Sequence, residues 1–174
     1  VELPMNQPAV YRVYRKKVLI MREMRRQDKL MSHEDCIDVI KNNNHGFMAT
    51  VNADGTPYIN GLNYIYKDSA LFIHCAREGQ KLENIERQNK VCFNIVDSVE
   101  VVQNQFTLHF RSVLINGTAE IIKDQDEIRK HMLDLAASLS PDFIEGGIKY
   151  VNAKETGVYI IKITIDEMSG KAKL

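Results

Sequence analysis

Three apolar segments separated by short turns restrict the fold of this 174-residue chain more than any other feature. Residues 46–51 are apolar and partly β-branched, and Asp54-Gly55 follows with a dipeptide typical of tight hairpin turns. We expect a return strand over 57–66 and a third strand over 70–75, the first three strands being antiparallel neighbours. The return strand has no clean polar face, which predicts that protein or a ligand covers both of its sides.

Three helices and three further strands complete the predicted pattern. Ser32 and Asp35 resemble a capping box at the start of a helix, and Asp124 with Glu127 marks the start of another. The expected helices cover 33–42, 81–88 and a segment from Asp124, and the expected strands cover 91–96, 106–122 with a bend near Gly117, and 157–165. Hairpin-spaced strands with a few interrupting helices predict a mainly β fold with α, an antiparallel β-barrel with peripheral helices.

Composition indicates one ordinary globular domain. Hydrophobic residues make up 44% and charged residues 26%, and 23 basic side chains balance 23 acidic ones, so no overall charge attracts nucleic acid or a membrane. Residues 1–30 are the exception, with eight basic and three acidic residues, which gives 8 − 3 = +5. A solvated leader, or an arm laid across an acidic partner surface, is the commoner interpretation. We divide the chain into a basic N-terminal extension, 1–20, and one domain, 21–174.

Targeting segments and cysteine or histidine motifs are missing from the sequence. The apolar run 18–21 is too short for a signal peptide, and nowhere do about 18 apolar residues follow one another, so we expect a cytoplasmic protein. Three cysteines form no CxxC pair, and five histidines show no metal-ligand spacing. We therefore expect neither a disulfide framework nor a bound metal.

The segment 74–81 is the best local candidate for chemistry. An apolar strand ends there in a glycine-containing loop, and the predicted helix begins at Lys81. A cation in the first turn of a helix opposes the helix dipole, unless a bound anion reverses the effect. Free N–H groups at Gly79 and Gln80, with Lys81 and Arg77, would form a phosphate site. The alternative is that Lys81 only points into water.

Two neighbouring residues of the same segment carry reactive groups. His74 closes an apolar strand, where a histidine is more often structural than functional, yet near neutral pH it could donate a proton or bond an electron-accepting ring. Cys75 has no guaranteed basic neighbour to lower the pKa of its thiol, so we interpret it as a small buried hydrophobic residue.

Five runs of the sequence, in this order, resemble the FMN-binding split barrels related to pyridoxamine 5'-phosphate oxidase, and among them the nitroimidazole-resistance (Nim) proteins most. The runs are MREMRRQDKL at 21–30, ATVNADGTPYINGLNY at 49–64, LFIHCAREGQKLENI at 71–85, FTLHFRSVLINGTAEI at 106–121 and TGVYIIKITIDEMSGKAKL at 156–174. The resemblance implies a homodimeric, six-stranded, Greek-key split barrel with FMN bound in a groove at the subunit interface.

The resemblance also implies a set of site residues. Related oxidases have Ser-Arg-Lys where this chain has Gly79, Gln80 and Lys81, so the phosphate affinity is expected to be lower. A segment with Arg111 and Ser112 reaches the cofactor of the neighbouring subunit. The complete set of implied cofactor-binding residues is Ile59, Asn60, Gly61, Leu62, His74, Cys75, Ala76, Gly79, Gln80, Lys81, Arg111 and Ser112.

The activity implied by the resemblance is reduction of a nitro group or another small electron acceptor, with NAD(P)H or another donor reducing FMN. His74 would be the catalytic residue, bonding the nitro oxygen or relaying a proton. Two alternatives stay open: a haem-binding or haem-degrading split barrel using His109 or His131, and a non-catalytic flavin carrier or sensor. Pyridoxamine phosphate oxidase activity itself is least favoured, because the tail 169–174 lacks that enzyme's basic substrate-binding residues.

Overall fold

A computed structural model describes residues 23–153 and 157–174, so the predicted extension 1–20 lies outside the described residues. Four helices and seven strands make up this part of the chain. In order they are α1 (His33–Asn42), β1 (His45–Val51), β2 (Pro57–Asn63), β3 (Ile65–Lys67), β4 (Ala70–Ala76), α2 (Gln80–Arg87), β5 (Lys90–Val102), β6 (Thr107–Ile122), α3 (Gln125–Leu139), α4 (Ile144–Ala153) and β7 (Val158–Lys173).

The seven strands form one antiparallel sheet in the order β2-β1-β5-β6-β7-β4-β3. The sheet curls so that Cα atoms of β2 and β4, from opposite halves of the sheet, approach within 8 Å. This half-closed barrel with peripheral helices confirms the predicted split-barrel fold, with seven strands instead of six.

The extra strand arises because the predicted return strand 57–66 is interrupted at Tyr64. The Tyr64 side chain is fully buried, its hydroxyl donates to the Ile40 carbonyl at 2.8 Å, and its N–H donates to the Asn44 carbonyl at 2.9 Å. These bonds turn the chain inward between β2 and β3. As a result β2 pairs with β1, and β3 pairs with β4. Contrary to the prediction, β2 and β4 are therefore not neighbours in the sheet.

The remaining predicted elements are present, some with other bounds. α1 covers the predicted residues, and Ser32 caps it by accepting the Asp35 N–H at 3.1 Å. β5 and β7 run well beyond their predicted ends, and α4 was not predicted. The register of β6 against β7 shifts at Gly117, as expected of a bend there. A Cβ on Gly117 would lie 2.6 Å from Ile163 Cγ2, so only glycine fits without a local shift.

Two separate apolar clusters cover different faces of the sheet. The inner face packs against α1 and α2, which contribute Cys36, Ile40, Leu82 and Ile85 to the main core. The outer face of β3, β4 and β7 packs under α3, where Phe72 is 4% exposed. This arrangement leaves the outer face of β2, β1, β5 and β6 without a helix over it in the described structure.

We call this uncovered surface the open face. Its exposed apolar members share one side of the sheet because they belong to cross-strand neighbours. They are Phe47, Val51, Ile59, Val96 and Leu114, exposed between 37% and 64%. An apolar patch of this kind marks an interaction or ligand surface.

A bulge extends the open face along the β5–β6 hairpin. The register shifts between Asp97 and Glu100, and Ser98 has a φ of 51°. After the shift Val101 pairs with Leu108, so odd residues of β5 take the side held earlier by Val96. The exposed Val101 and Leu108 therefore continue the apolar surface towards the hairpin tip.

Candidate functional site

The N-terminus of α2 presents backbone N–H groups without an intramolecular cap. Gly79 precedes the helix with a φ of +123°, and no side chain caps the helix. The N–H groups of Leu82 and Glu83 both donate to the Gly79 carbonyl, at 2.9 and 3.3 Å. A Cβ placed on Gly79 would meet no atom within 4 Å. The backbone of Gly79, Gln80 and Lys81 thus borders open space at the positive end of a helix.

Lys81 lies close enough to Cys75 to influence the ionisation of its thiol. Burial raises the pKa of the Cys75 thiol, and the charge of Lys81 opposes that rise. Cys75 is 6% exposed and belongs to the main core. The thiol therefore stays protonated at neutral pH and packs as a hydrophobic group, as interpreted from the sequence.

Alternation along β4 exposes His74 while it buries Cys75. His74 pairs with Ile160 of β7, and Ala76 is the next exposed residue of β4. Phe72, on the same side of the strand as His74, is buried under α3. The cover of α3 thus ends between Phe72 and His74, which leaves the imidazole accessible to a ligand one loop away from the N-terminus of α2.

A polar cluster that sequence reasoning missed fixes the position of α2. Asn84 is fully buried and donates to Thr50 Oγ1 at 3.0 Å and to Asn52 Oδ1 at 2.9 Å. Arg87 donates to Asn84 Oδ1 at 2.9 Å and to the Val51 carbonyl at 2.5 Å. The only signal in the sequence was an asparagine between Leu82 and Ile85, the apolar positions of the helix.

β2 supplies the third wall near the seam of the barrel. Its residues alternate between half-buried and exposed, and Ile59 is 64% exposed. Asn60 Nδ2 donates to the Tyr58 hydroxyl at 3.4 Å, while the buried Asn60 Oδ1 has no hydrogen-bond partner within the described residues. A buried acceptor without a donor is costly, and a bound N–H group would satisfy it. β2, which contains four of the implied cofactor-binding residues, therefore carries a polar atom suited to a ligand.

Arg111 and Ser112 lie on β6, which β1 and β5 separate from β2 in the sheet. Arg111 donates to Asp97 at 2.8 Å and to Asp38 at 3.3 Å, and Asp97 raises the pKa of its guanidinium. Arg111 pairs with Ala172 of β7, whereas His74 pairs with Ile160 of the same strand. Arg111 and His74 are therefore aligned with opposite ends of β7. Within the described residues, β2 and β4 approach each other and α2 directly follows β4.

The two histidines considered for haem ligation occupy different surroundings. The His131 ring of α3 stacks on Phe72, with centroids 4.2 Å apart and planes at 20°, and its side chain is 12% exposed. This imidazole is largely enclosed by protein. His109 lies opposite Glu100 in the β5–β6 hairpin.

A curled antiparallel sheet with an uncapped helix terminus beside its seam defines this molecule as a split β-barrel. The chain belongs to the pyridoxamine 5'-phosphate oxidase family, because the family model matches residues 32–172. No curated protein sequence matches the chain. Within the described residues, no helix is both long and apolar enough to cross a membrane.

Several solved structures share this fold at low sequence identity. A conserved hypothetical protein of Mycobacterium tuberculosis is 19% identical, with a TM-score of 0.72 over 86% of this chain and 90% of that one. An FAD-binding protein of Mesorhizobium loti is 23% identical, with a TM-score of 0.63 over 84% and 98%. A candidate 5-nitroimidazole antibiotic resistance protein of Bacteroides thetaiotaomicron is 23% identical, with a TM-score of 0.61 over 82% and 85%.

Proposed function

We propose that this protein is a homodimeric, FMN-binding oxidoreductase that reduces nitroaromatic compounds or similar small electron acceptors. The observation that carries the proposal is the uncapped N-terminus of α2, together with an accessible His74 near the end of the strand that precedes this helix. The family membership supports a flavin cofactor, and the likeness to a candidate nitroimidazole resistance protein supports the acceptor class.

The residues at the start of α2 fit the phosphate of FMN. The N–H groups of Gln80 and Lys81 have no acceptor within the described residues, and Lys81 adds a positive charge at the same place. A helix dipole and free N–H groups favour an anion there, which also accounts for a lysine in the first turn of a helix. Gly79 leaves room for the phosphate to approach the backbone.

The ring of the cofactor would lie against β2, where Asn60 Oδ1 could accept a hydrogen bond from it. When bound, FMN would supply the electron transfer, which no side chain of this protein can perform. The protein's own residues would orient the acceptor and exclude water. His74 would donate a hydrogen bond or a proton to the acceptor's nitro oxygen.

Dimerisation is part of the proposal because one chain leaves both its apolar surface and its site incomplete. The open face exposes large apolar side chains, which a second copy would cover by symmetry. Arg111 and Ser112 belong to β6 and are aligned with the opposite end of β7 from His74. In a symmetric dimer they would instead complete the site of the partner.

Replacement of His74 tests the catalytic assignment. His74→Ala should lower the rate of nitro reduction by about 100-fold or more, since general acid catalysis typically contributes that much. FMN binding, followed by its absorption spectrum and by titration, should not be abolished. His33→Ala, at an exposed position of α1, is the matched control. Unchanged turnover in His74→Ala would remove His74 from the mechanism.

The non-catalytic alternative is tested with the unmodified protein. A purified dimer that retains FMN but does not pass electrons from NAD(P)H, or from chemically reduced flavin, to a nitroaromatic acceptor would be a carrier or sensor. A protein that binds no FMN would refute the proposed cofactor.

A further inference from the structure

Three lysines meet at the end of β7, away from the α2 terminus. Leu30 pairs with Lys171 as an isolated antiparallel bridge, and the Met31 N–H donates to the Gly170 carbonyl at 3.0 Å. These contacts lay the segment before α1 along the free side of β7, beyond the end of β4. Lys29 is thereby brought to Lys171 and Lys173, and we call these three lysines the basic corner.

The charges of the basic corner are not neutralised within the described chain. None of its lysines forms an ion pair there, and neighbouring Arg26 is already paired with Asp28. Desolvation lowers the pKa of Lys29, and repulsion from Arg26, Lys173 and Lys171 lowers it further, against a smaller opposing effect of Asp28. Within the described residues, Lys173 donates to the hydroxyl of Thr107. Like charges held together without a counter-charge are suited to a multiply charged anion.

An aromatic surface lies beside these charges. Lys171 Nζ is 5.7 Å from the centroid of the Phe110 ring, and Phe110 pairs with Lys173. On the same side of the sheet Lys171 pairs with Ser112, next to the exposed Leu114 of the open face. The basic corner therefore borders the surface that the dimer would use, and it combines cations with a flat ring.

We propose that the basic corner binds the phosphate groups of the electron donor, a pyridine nucleotide, on the side of the partner's cofactor. The proposal rests on the proposed function, because it assigns the donor to the dimeric flavin site. Nitroaromatic acceptors carry no phosphate, so the lysines would serve the donor and not the acceptor. Since the corner offers three cations, NADPH with its additional 2'-phosphate should bind more tightly than NADH.

The test compares donor binding in charge-reversal variants. Lys171→Glu should raise the KM for NADPH by about tenfold or more, and Lys29→Glu with Lys171→Glu should raise it further. Lys171→Arg should retain the KM, and Lys130→Glu, on the exposed side of α3, is the control of equal charge change. Fluorescence titration of the FMN-loaded, dithionite-reduced protein with NADPH, at two salt concentrations, measures the same site without hydride transfer to the flavin.

The outcomes separate this proposal from the proposed function. Nitro reduction by dithionite-reduced protein should be equal in Lys171→Glu and wild type, because that assay bypasses the donor. Its absence in both proteins would refute the proposed activity, while NADPH titration would still test the corner. An unchanged KM for NADPH would overturn the donor site, and so would a matching loss of FMN affinity. Loss of binding to a DNA duplex with unchanged NADPH binding would also overturn it.

Discussion

At the scale of single residues, His131 and His74 show how differently two histidines can be placed in one fold. His131 belongs to α3 and stacks on Phe72, and its Nδ1 is buried without a hydrogen-bond partner in the described structure. Desolvation lowers its pKa, and Lys130 and Lys67 lower it further against the opposing effect of Asp134. His74 is exposed on the strand below. The sequence alone does not distinguish the two histidines, because their exposure depends on which part of the sheet α3 covers.

Burial of His131 predicts a specific loss of stability in mild acid. The unfolded chain binds a proton at the ordinary pKa of 6.5, whereas the folded chain binds it only at lower pH. Below 6.5 the unfolded state therefore holds more protons, and stability falls as the pH falls through the folded-state pKa. His131→Phe keeps the stack on Phe72 and removes the titration. We expect its free energy of unfolding, measured by urea at pH 7 and pH 5, to depend less on pH than that of wild type. An unaltered pH dependence, equal to that of His33→Gln, would contradict this.

At the scale of elements, the polar cluster around Asn84 helps to fix the position of α2. An eight-residue helix is too short to be stable alone, so packing must fix its position. Leu82 and Ile85 anchor it in the core, and Asn84 ties it to the end of β1. The exact placement of its N-terminus, and with it the phosphate site, depends on these contacts.

Removing the Asn84 side chain should affect stability and cofactor binding together. Asn84→Ala leaves the buried Thr50 hydroxyl and the Asn52 side chain without a donor, which should cost about 2 kcal/mol of unfolding free energy. FMN affinity should fall although Asn84 faces away from the helix terminus. Denaturant unfolding and FMN titration measure the two effects. Asn89→Ala, at an exposed asparagine after α2, is the control and should change neither.

Local patterns predicted the elements whose ends depend on local chemistry. The bounds of α1 follow from the Ser32 cap, and the bend near Gly117 follows from its missing side chain. Tertiary contacts decided the remainder: the Tyr64 hydroxyl bond interrupts the predicted second strand, and Gly147 of α4 packs against Ala136 of α3 so closely that a Cβ would lie 2.9 Å away. A helix with two adjacent glycines has no helical signal of its own.

At the scale of the whole molecule, the packing of distant elements determines where the predicted site residues meet. The sequence correctly places Lys81 at a helix start, because a strand, a glycine loop and a helix are local features. In the proposed dimer, Arg111 and Ser112 would reach the cofactor of the partner. Inside one chain Arg111 is bound to Asp97 and Asp38, so its role at a partner's site stays a prediction.

A charge on the open face should separate the proposed dimer. Leu114→Glu puts a carboxylate at the centre of an apolar interface, where an obligate contact of roughly 2,000 Å² or more cannot solvate it. Light scattering should give the mass of one chain, 20.0 kDa, for this variant and twice that for wild type. Phe143→Glu, at an exposed apolar residue before α4, should leave the dimer intact. A wild-type monomer at micromolar concentration would contradict the dimer.

The inward turn at Tyr64 also affects how readily copies of this protein can aggregate through the edges of the sheet. β2 and β3, the two outermost strands of the sheet, are consecutive in the chain and are separated by that single residue. The two edge strands are therefore joined directly through the backbone, and β3 has only three residues. Unpaired margins are the usual starting points for fibril-like aggregation. Since β3 is short and the two edge strands are linked, addition of another copy is disfavoured on the β3 side of this sheet.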